Sequence, residues 1–115
     1  MTQGMWHTQK DGDVVTLARA LPARFDVSAT ASFPMLARTR LAHQIRQDMW
    51  RALRNIRGFS PVVRVERCDT GLRVTAGGRV PQPISKHIAE RVESLLSDED
   101  LRARWIKCAK LRVSG

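Results

Sequence analysis

The apolar period of this chain switches from two to about 3.6 and back to two, and that switch restricts its possible folds more than any other feature. In "RFDVSATASF", residues 24–33, Phe25, Val27, Ala29, Ala31 and Phe33 alternate with Asp26, Ser28, Thr30 and Ser32. A period of two predicts a strand with one buried face and one wet face. From Pro34 to Arg57 the pattern becomes helical. Leu41, Ile45, Met49, Leu53 and Ile56, with Ala42 and Ala52, fill an arc of roughly 120°. Pro34 suits a first helical turn behind a capping-type Ser32, and Gly58 is a standard stop.

The period of two returns in "SPVVRVERCDTGLRVTAGGRV", residues 60–80. Val63 and Val65 alternate with Arg64 and Glu66, Asp69-Thr70-Gly71 supplies a turn, and Leu72, Val74 and Ala76 alternate with Arg73 and Thr75. This is a β-hairpin pattern. Gly77-Gly78 is expected to break its second strand.

The flanks are less sharply patterned. Residues 13–21, "DVVTLARAL", fit a strand or a short helical turn, with the β-branched start favouring the strand. Residues 1–12 are polar and aperiodic and read as a flexible tail. Residues 80–85 carry two prolines and read as an extended connector. Ile84, Ile88, Val92 and Leu95 then recur at helical spacing. Ser97 stands three residues before Asp100, as a fresh N-cap would. Residues 98–111 carry Leu101 and Trp105 on one face and end in Lys107, Lys110 and Arg112. Acids first and cations last is the order a helix dipole favours. One bent helix and two short helices both fit this region. The expected order is β-β-α-β-β-α-α. That is an α+β fold: a small antiparallel sheet with a long amphipathic helix and C-terminal helices on one face, as a single domain over 13–115.

Charge narrows the function. The 115 residues carry 20 Lys and Arg against 11 acids, a net +9. Residues 34–80 alone hold ten Arg against three acids, a net +7. A positive field of this kind, built from forked guanidiniums, suits phosphate. The helical arc opposite the core stripe carries Arg40, His43, Arg46, Gln47, Trp50, Arg51, Arg54 and Arg57, and the hairpin adds Arg64, Arg73 and Arg79. His43, Gln47, Trp50 and Arg54 form a ridge at helical spacing. Trp50 supplies a flat ring on which an unstacked base could lie, which points to RNA or single-stranded DNA over duplex. Two other readings of Trp50 stand beside this one. It can be covered by a neighbouring segment as satellite core, or it can anchor a contact with an acidic protein partner or a dimer mate.

Other chemistry finds little support. His7, His43 and His87 stand in three different segments and Cys68 and Cys108 form no CxxC, so no metal site and no other cofactor is expected. The two cysteines read as free thiols. Asp48, the only acid of the long helix, is expected to pair with Arg51 at i, i+3. No paired carboxylates, nucleophile–base pattern or P-loop occurs, so a non-enzymatic protein is expected. The characteristic motifs of KH, RRM and zinc-finger modules are missing. No apolar run is long enough to cross a bilayer and the N-terminus has no secretory h-region, so a cytoplasmic protein with no membrane partner is expected. The expected function is nucleic-acid binding through phosphate contacts, with a protein-interaction or assembly module as the alternative. Composition leaves the oligomeric state open.

Overall fold

The alternating segments pair into one antiparallel sheet, as seen in a computed structural model that describes residues 6–81 and 86–111. Strands β1 (His7–Asp11), β2 (Val14–Ala18), β3 (Val27–Phe33), β4 (Ser60–Cys68) and β5 (Gly71–Arg79) lie in the order β1-β2-β4-β5-β3. Helices α1 (Arg38–Leu53), α2 (Lys86–Ser97) and α3 (Glu99–Ala109) complete the α+β fold.

Register fixes the two sheet faces. Leu17, Val63, Ala76 and Ala29 form one row across β2, β4, β5 and β3, and Val15, Val65, Val74 and Ala31 form the next. Of these, Leu17, Ala29, Val63, Val65, Val74 and Ala76 merge with Leu41, Ile45, Met49, Val92, Leu96 and Trp105 in one core, with Ala31 packed against it. Each such aliphatic side chain contributes roughly 1.5–3 kcal/mol when taken fully out of water. The alternate positions Thr16, Arg64, Thr75 and Thr30 form a row on the other face. A side-chain period of two puts neighbouring residues on opposite faces of a pleated strand, which is why Val63, Val65 and Val74 separate from Arg64 and Arg73.

Several expectations are corrected. The segment expected to be a tail contains β1, which pairs along its length with β2 through a turn at Gly12. Gly12 has φ +60°, the left-handed conformation a two-residue hairpin loop demands. Strand β3 starts at Val27 rather than Arg24, and Phe25 leaves the core pattern to meet Arg64 on the opposite sheet face. Helix α1 is shorter than the stretch 34–57. Its N-cap is Ala37, with no side-chain cap, and Arg54 already terminates it. Pro34 and Ser32 therefore lie outside the helix, Ser32 as a strand residue. Gly77 and Gly78 do not break β5. They continue it, pairing with Val62 and Pro61 of β4 and with Ser28 and Val27 of β3.

The C-terminal region is two helices. Ser97 is the last residue of α2, and its hydroxyl donates to Glu93 O (2.9 Å). Asp98 is the cap of α3, its Oδ1 accepting from Leu101 N at 3.0 Å. Ile84, Arg112 and most of the proline connector lie outside the described residues.

Candidate nucleic-acid interface

Helices α1 and α3 run antiparallel. Ala37 N donates to Ala109 O (2.8 Å) at one end, Asp48 meets Trp105 midway, and Ala52 and Leu101 share a groove at the other end. Asp48 is buried, and this contact explains why. Its Oδ2 accepts from Trp105 Nε1 at 2.6 Å and from Arg104 Nη2, while Arg51 stands 3.8 Å from Oδ1. The expected Arg51 pair is present, but Trp105 and Arg104 are the closer partners. A carboxylate this buried is tolerated because it has several donors.

One cation from each helix meets at that buried acid. Arg51 and Arg104 both reach Asp48. Arg40 Nη1 reaches Lys110 O (3.4 Å) near the start of α1. Arg40, Gln47, Arg51 and Arg54 are exposed, as are Arg104, Lys107 and Lys110, and Arg57 is exposed in the turn beyond α1. Asp48 is the only acid of α1, and the acids of α3, Glu99 and Asp100, are confined to its first turn.

His43, Arg46 and Trp50 are half-buried, toward the side of α1 away from α3. The Arg46 guanidinium stands over the Trp6 ring at 4.9 Å. Arg19, just beyond β2, stands 5.8 Å from the Trp6 centroid and 5.9 Å from that of Trp50. Trp50 thus already meets a guanidinium. The ridge of His43, Gln47, Trp50 and Arg54 is continuous on the helix but uneven in exposure. Burial lowers the His43 imidazole pKa, and the Arg46 charge lowers it further. Burial also lowers the pKa of Arg46, though a guanidinium stays protonated at any physiological pH.

The hairpin arginines are not part of either cluster. Arg64, Arg73 and Arg79 occupy alternate positions of β4 and β5 that face away from the helices. Arg64 stands over Phe25 (5.3 Å), Arg73 lies 3.8 Å from Glu66, and Arg79 donates to Pro22 O (3.4 Å). A shallow depression on that face is lined by Gln9, Asp11, Thr16, Arg64 and Glu66, so its charge is mixed.

Sequence reasoning missed Arg104, Lys107 and Lys110 as neighbours of the α1 cations, because no local pattern tells which helix packs beside which. It also missed Trp6 and Arg19. A lone tryptophan in an otherwise polar N-terminal stretch was the available signal, since Trp is seldom left in water. Cys68 and Cys108 are free thiols. Among the described residues, no three His, Cys, Asp or Glu side chains converge as metal ligands, and no helix is long and apolar enough to cross a membrane. The chain matches no protein-family model, no curated protein and no solved structure.

Proposed function

We propose that this protein binds nucleic acid by phosphate contacts from the exposed side of α1 and α3. The observation that carries this reading is the engagement of Asp48. The one carboxylate of α1 is buried and held by Trp105 and Arg104, with Arg51 at 3.8 Å, so that Arg40, Arg51, Arg54, Lys107 and Lys110 are exposed on a surface with few competing anions. Such a surface gains free energy by releasing counterions from a polyanion. The sheet face is the weaker candidate, because its three arginines share it with Glu66 and Asp11.

The reading is tested by fluorescence anisotropy with labelled single-stranded and duplex oligonucleotides at two salt concentrations. The wild type binds with a steep salt slope. An Arg51/Arg54/Lys107→Gln triple variant loses about 2–3 units of that slope, on the order of one per contact removed. No binding by the wild type at low salt overturns the proposal and moves the same surface to an acidic protein partner.

A further inference from the structure

The aromatic rings of this chain lie away from the cations that α1 and α3 expose. The sequence holds three Trp, three Phe and no Tyr. Phe33, Phe59 and Trp105 are buried in the core. Trp6 and Trp50 are half-buried, the guanidinium of Arg46 standing over the first and that of Arg19 over the second. Phe25 lies under Arg64 on the opposite face of the sheet. These are all six rings. What α1 and α3 present instead is a double row of polar and cationic side chains. Arg40, Gln47, Arg51 and Arg54 recur at i, i+7, i+11 and i+14, one exposed line along α1 and its C-cap, about 21 Å long at the helical rise per residue. Arg104, Lys107 and Lys110 are exposed along α3. Helices packed side by side lie about 8–10 Å apart. The bond from Trp105 to Asp48 fixes one row against the other.

We propose that this surface takes double-stranded nucleic acid, meeting the phosphates of both strands without reading bases. The inference rests on the polyanion reading of α1 and α3 and names the form of the ligand. Proteins that hold single strands without sequence preference stack bases on exposed rings. With all six rings placed elsewhere, a single strand meets this surface through phosphates alone. Such a strand is flexible, and ordering it on a fixed array costs entropy that no stacking offsets. A duplex arrives with its phosphates already ordered, at about one charge per 1.7 Å of axis. The two backbones of B-DNA flank a minor groove about 6 Å wide, a spacing that lets one row meet each strand. In A-form RNA the deep, narrow major groove is flanked in the same way. Two helices side by side are about 20 Å across, too broad for the B-DNA major groove of about 12 Å. Contact is therefore with the backbones and independent of base sequence. The preference for a single strand that Trp50 suggests in the sequence loses its basis, because that ring does not stand among these cations.

The experiment is fluorescence anisotropy at two salt concentrations with a labelled DNA strand of about 12 nucleotides, roughly 40 Å as a duplex and so longer than the α1 row. The strand has no self-complementarity. It is used alone and annealed to its complement, beside an RNA duplex of the same sequence and a DNA duplex of unrelated sequence. In the expected result a duplex binds about tenfold more tightly than the single strand at low salt, and its salt slope is steeper, about 0.9 against 0.7 per phosphate contact. The two DNA duplexes agree within about twofold, since phosphates carry no sequence information. Lys107→Gln with Lys110→Gln removes two exposed charges of the α3 row. It lowers duplex affinity more than single-strand affinity, so the ratio between them falls to about threefold or less, because a single strand follows one row and a duplex needs both.

A single strand bound as tightly as the DNA and RNA duplexes, or more tightly, overturns the duplex preference and leaves the α1–α3 reading standing. A ratio unchanged in Lys107→Gln with Lys110→Gln overturns the two-row contact. Affinities of the two DNA duplexes that differ by more than about tenfold overturn contact with the backbones alone. Tighter binding of only the DNA or only the RNA duplex upholds the duplex preference and identifies the source. If neither the single strand nor any duplex binds at low salt, the α1–α3 reading falls as well. Circular dichroism melts accompany the variant. Should it not fold, the wild-type ratio of duplex to single-strand affinity decides the same question.

Discussion

Asp48 Oδ2 stands 2.6 Å from Trp105 Nε1, joining the only acid of α1 to the largest side chain of the core. This bond aligns α3 on α1 and removes a negative charge from the surface those helices share. Asp48→Ala leaves the indole N–H of a fully buried Trp without an acceptor and is expected to cost about 1–3 kcal/mol. Asp48→Asn keeps an acceptor oxygen but loses the charge that Arg104 meets, so its cost is expected to be smaller. Urea unfolding of both variants checks the order. Equal stability of Asp48→Ala and wild type would show that the bond contributes nothing.

Strand β5 passes through Gly78 at φ +146°, and a Cβ built there stands 2.1 Å from Ser60 O, a backbone atom of the neighbouring strand. That oxygen cannot move without breaking the ladder between β4 and β5. Gly78→Ala is expected to cost at least ~2 kcal/mol, through both the collision and the backbone conformation. Gly12→Ala is the comparison. Its φ is +60° but nothing lies within 4 Å of the added Cβ, so only the left-handed penalty of roughly 1–2 kcal/mol applies. Thermal melts of the two variants separate collision from conformation.

His43 makes stability depend on pH in a known direction. Burial and the Arg46 charge lower its pKa in the folded chain below the ordinary value of 6.5. The unfolded chain therefore takes up a proton first as pH falls. The contribution of His43 to stability is fully present above about pH 6.5 and is lost as pH drops through the folded pKa. Denaturation midpoints measured between about pH 5 and 7.5 are expected to fall on the acid side, with a shallower fall in His43→Gln. An unchanged slope in His43→Gln would locate the dependence in another group.

The sequence showed the fold class because its strongest signals are local and periodic. The alternation of Val27 to Phe33 and the stripe of Leu41, Ile45, Met49 and Leu53 each need only one element to be read. What escaped was set by tertiary pairing. Gly77 and Gly78 look like a break in isolation, yet β3 and β4 flank them on both sides and the ladder carries them. Ser97 and Asp98 compete for one cap, and only the path of the chain decides for Asp98. The basic residues fared likewise. Their number and sign were legible, but the alternation of the hairpin sends Arg64, Arg73 and Arg79 to the face opposite α1. Trp50 was readable as an anomaly on a polar arc, while its covering by Arg19 depends on a segment thirty-one residues away in sequence.

That separation of the arginines yields the sharpest functional prediction. If phosphate contacts run along α1 and α3, then Arg64→Gln with Arg73→Gln removes two charges from the wrong side of a sheet. The field of those charges at the helix surface is weakened by distance and by salt, since screening acts over about 10 Å at moderate ionic strength. The double sheet variant is expected to bind an oligonucleotide within about threefold of wild type, with its salt slope nearly unchanged. Arg51→Gln with Lys107→Gln removes the same number of charges from the helix side and is expected to lower the slope by about two units, with affinity at low salt falling more than tenfold. Equal losses in the two double variants would mean that only net charge matters, and a larger loss in the sheet variant would transfer the interface to the face that carries Phe25 and Arg64. Because both variants change charge by the same amount, their difference reports where the polyanion lies rather than how basic the protein is.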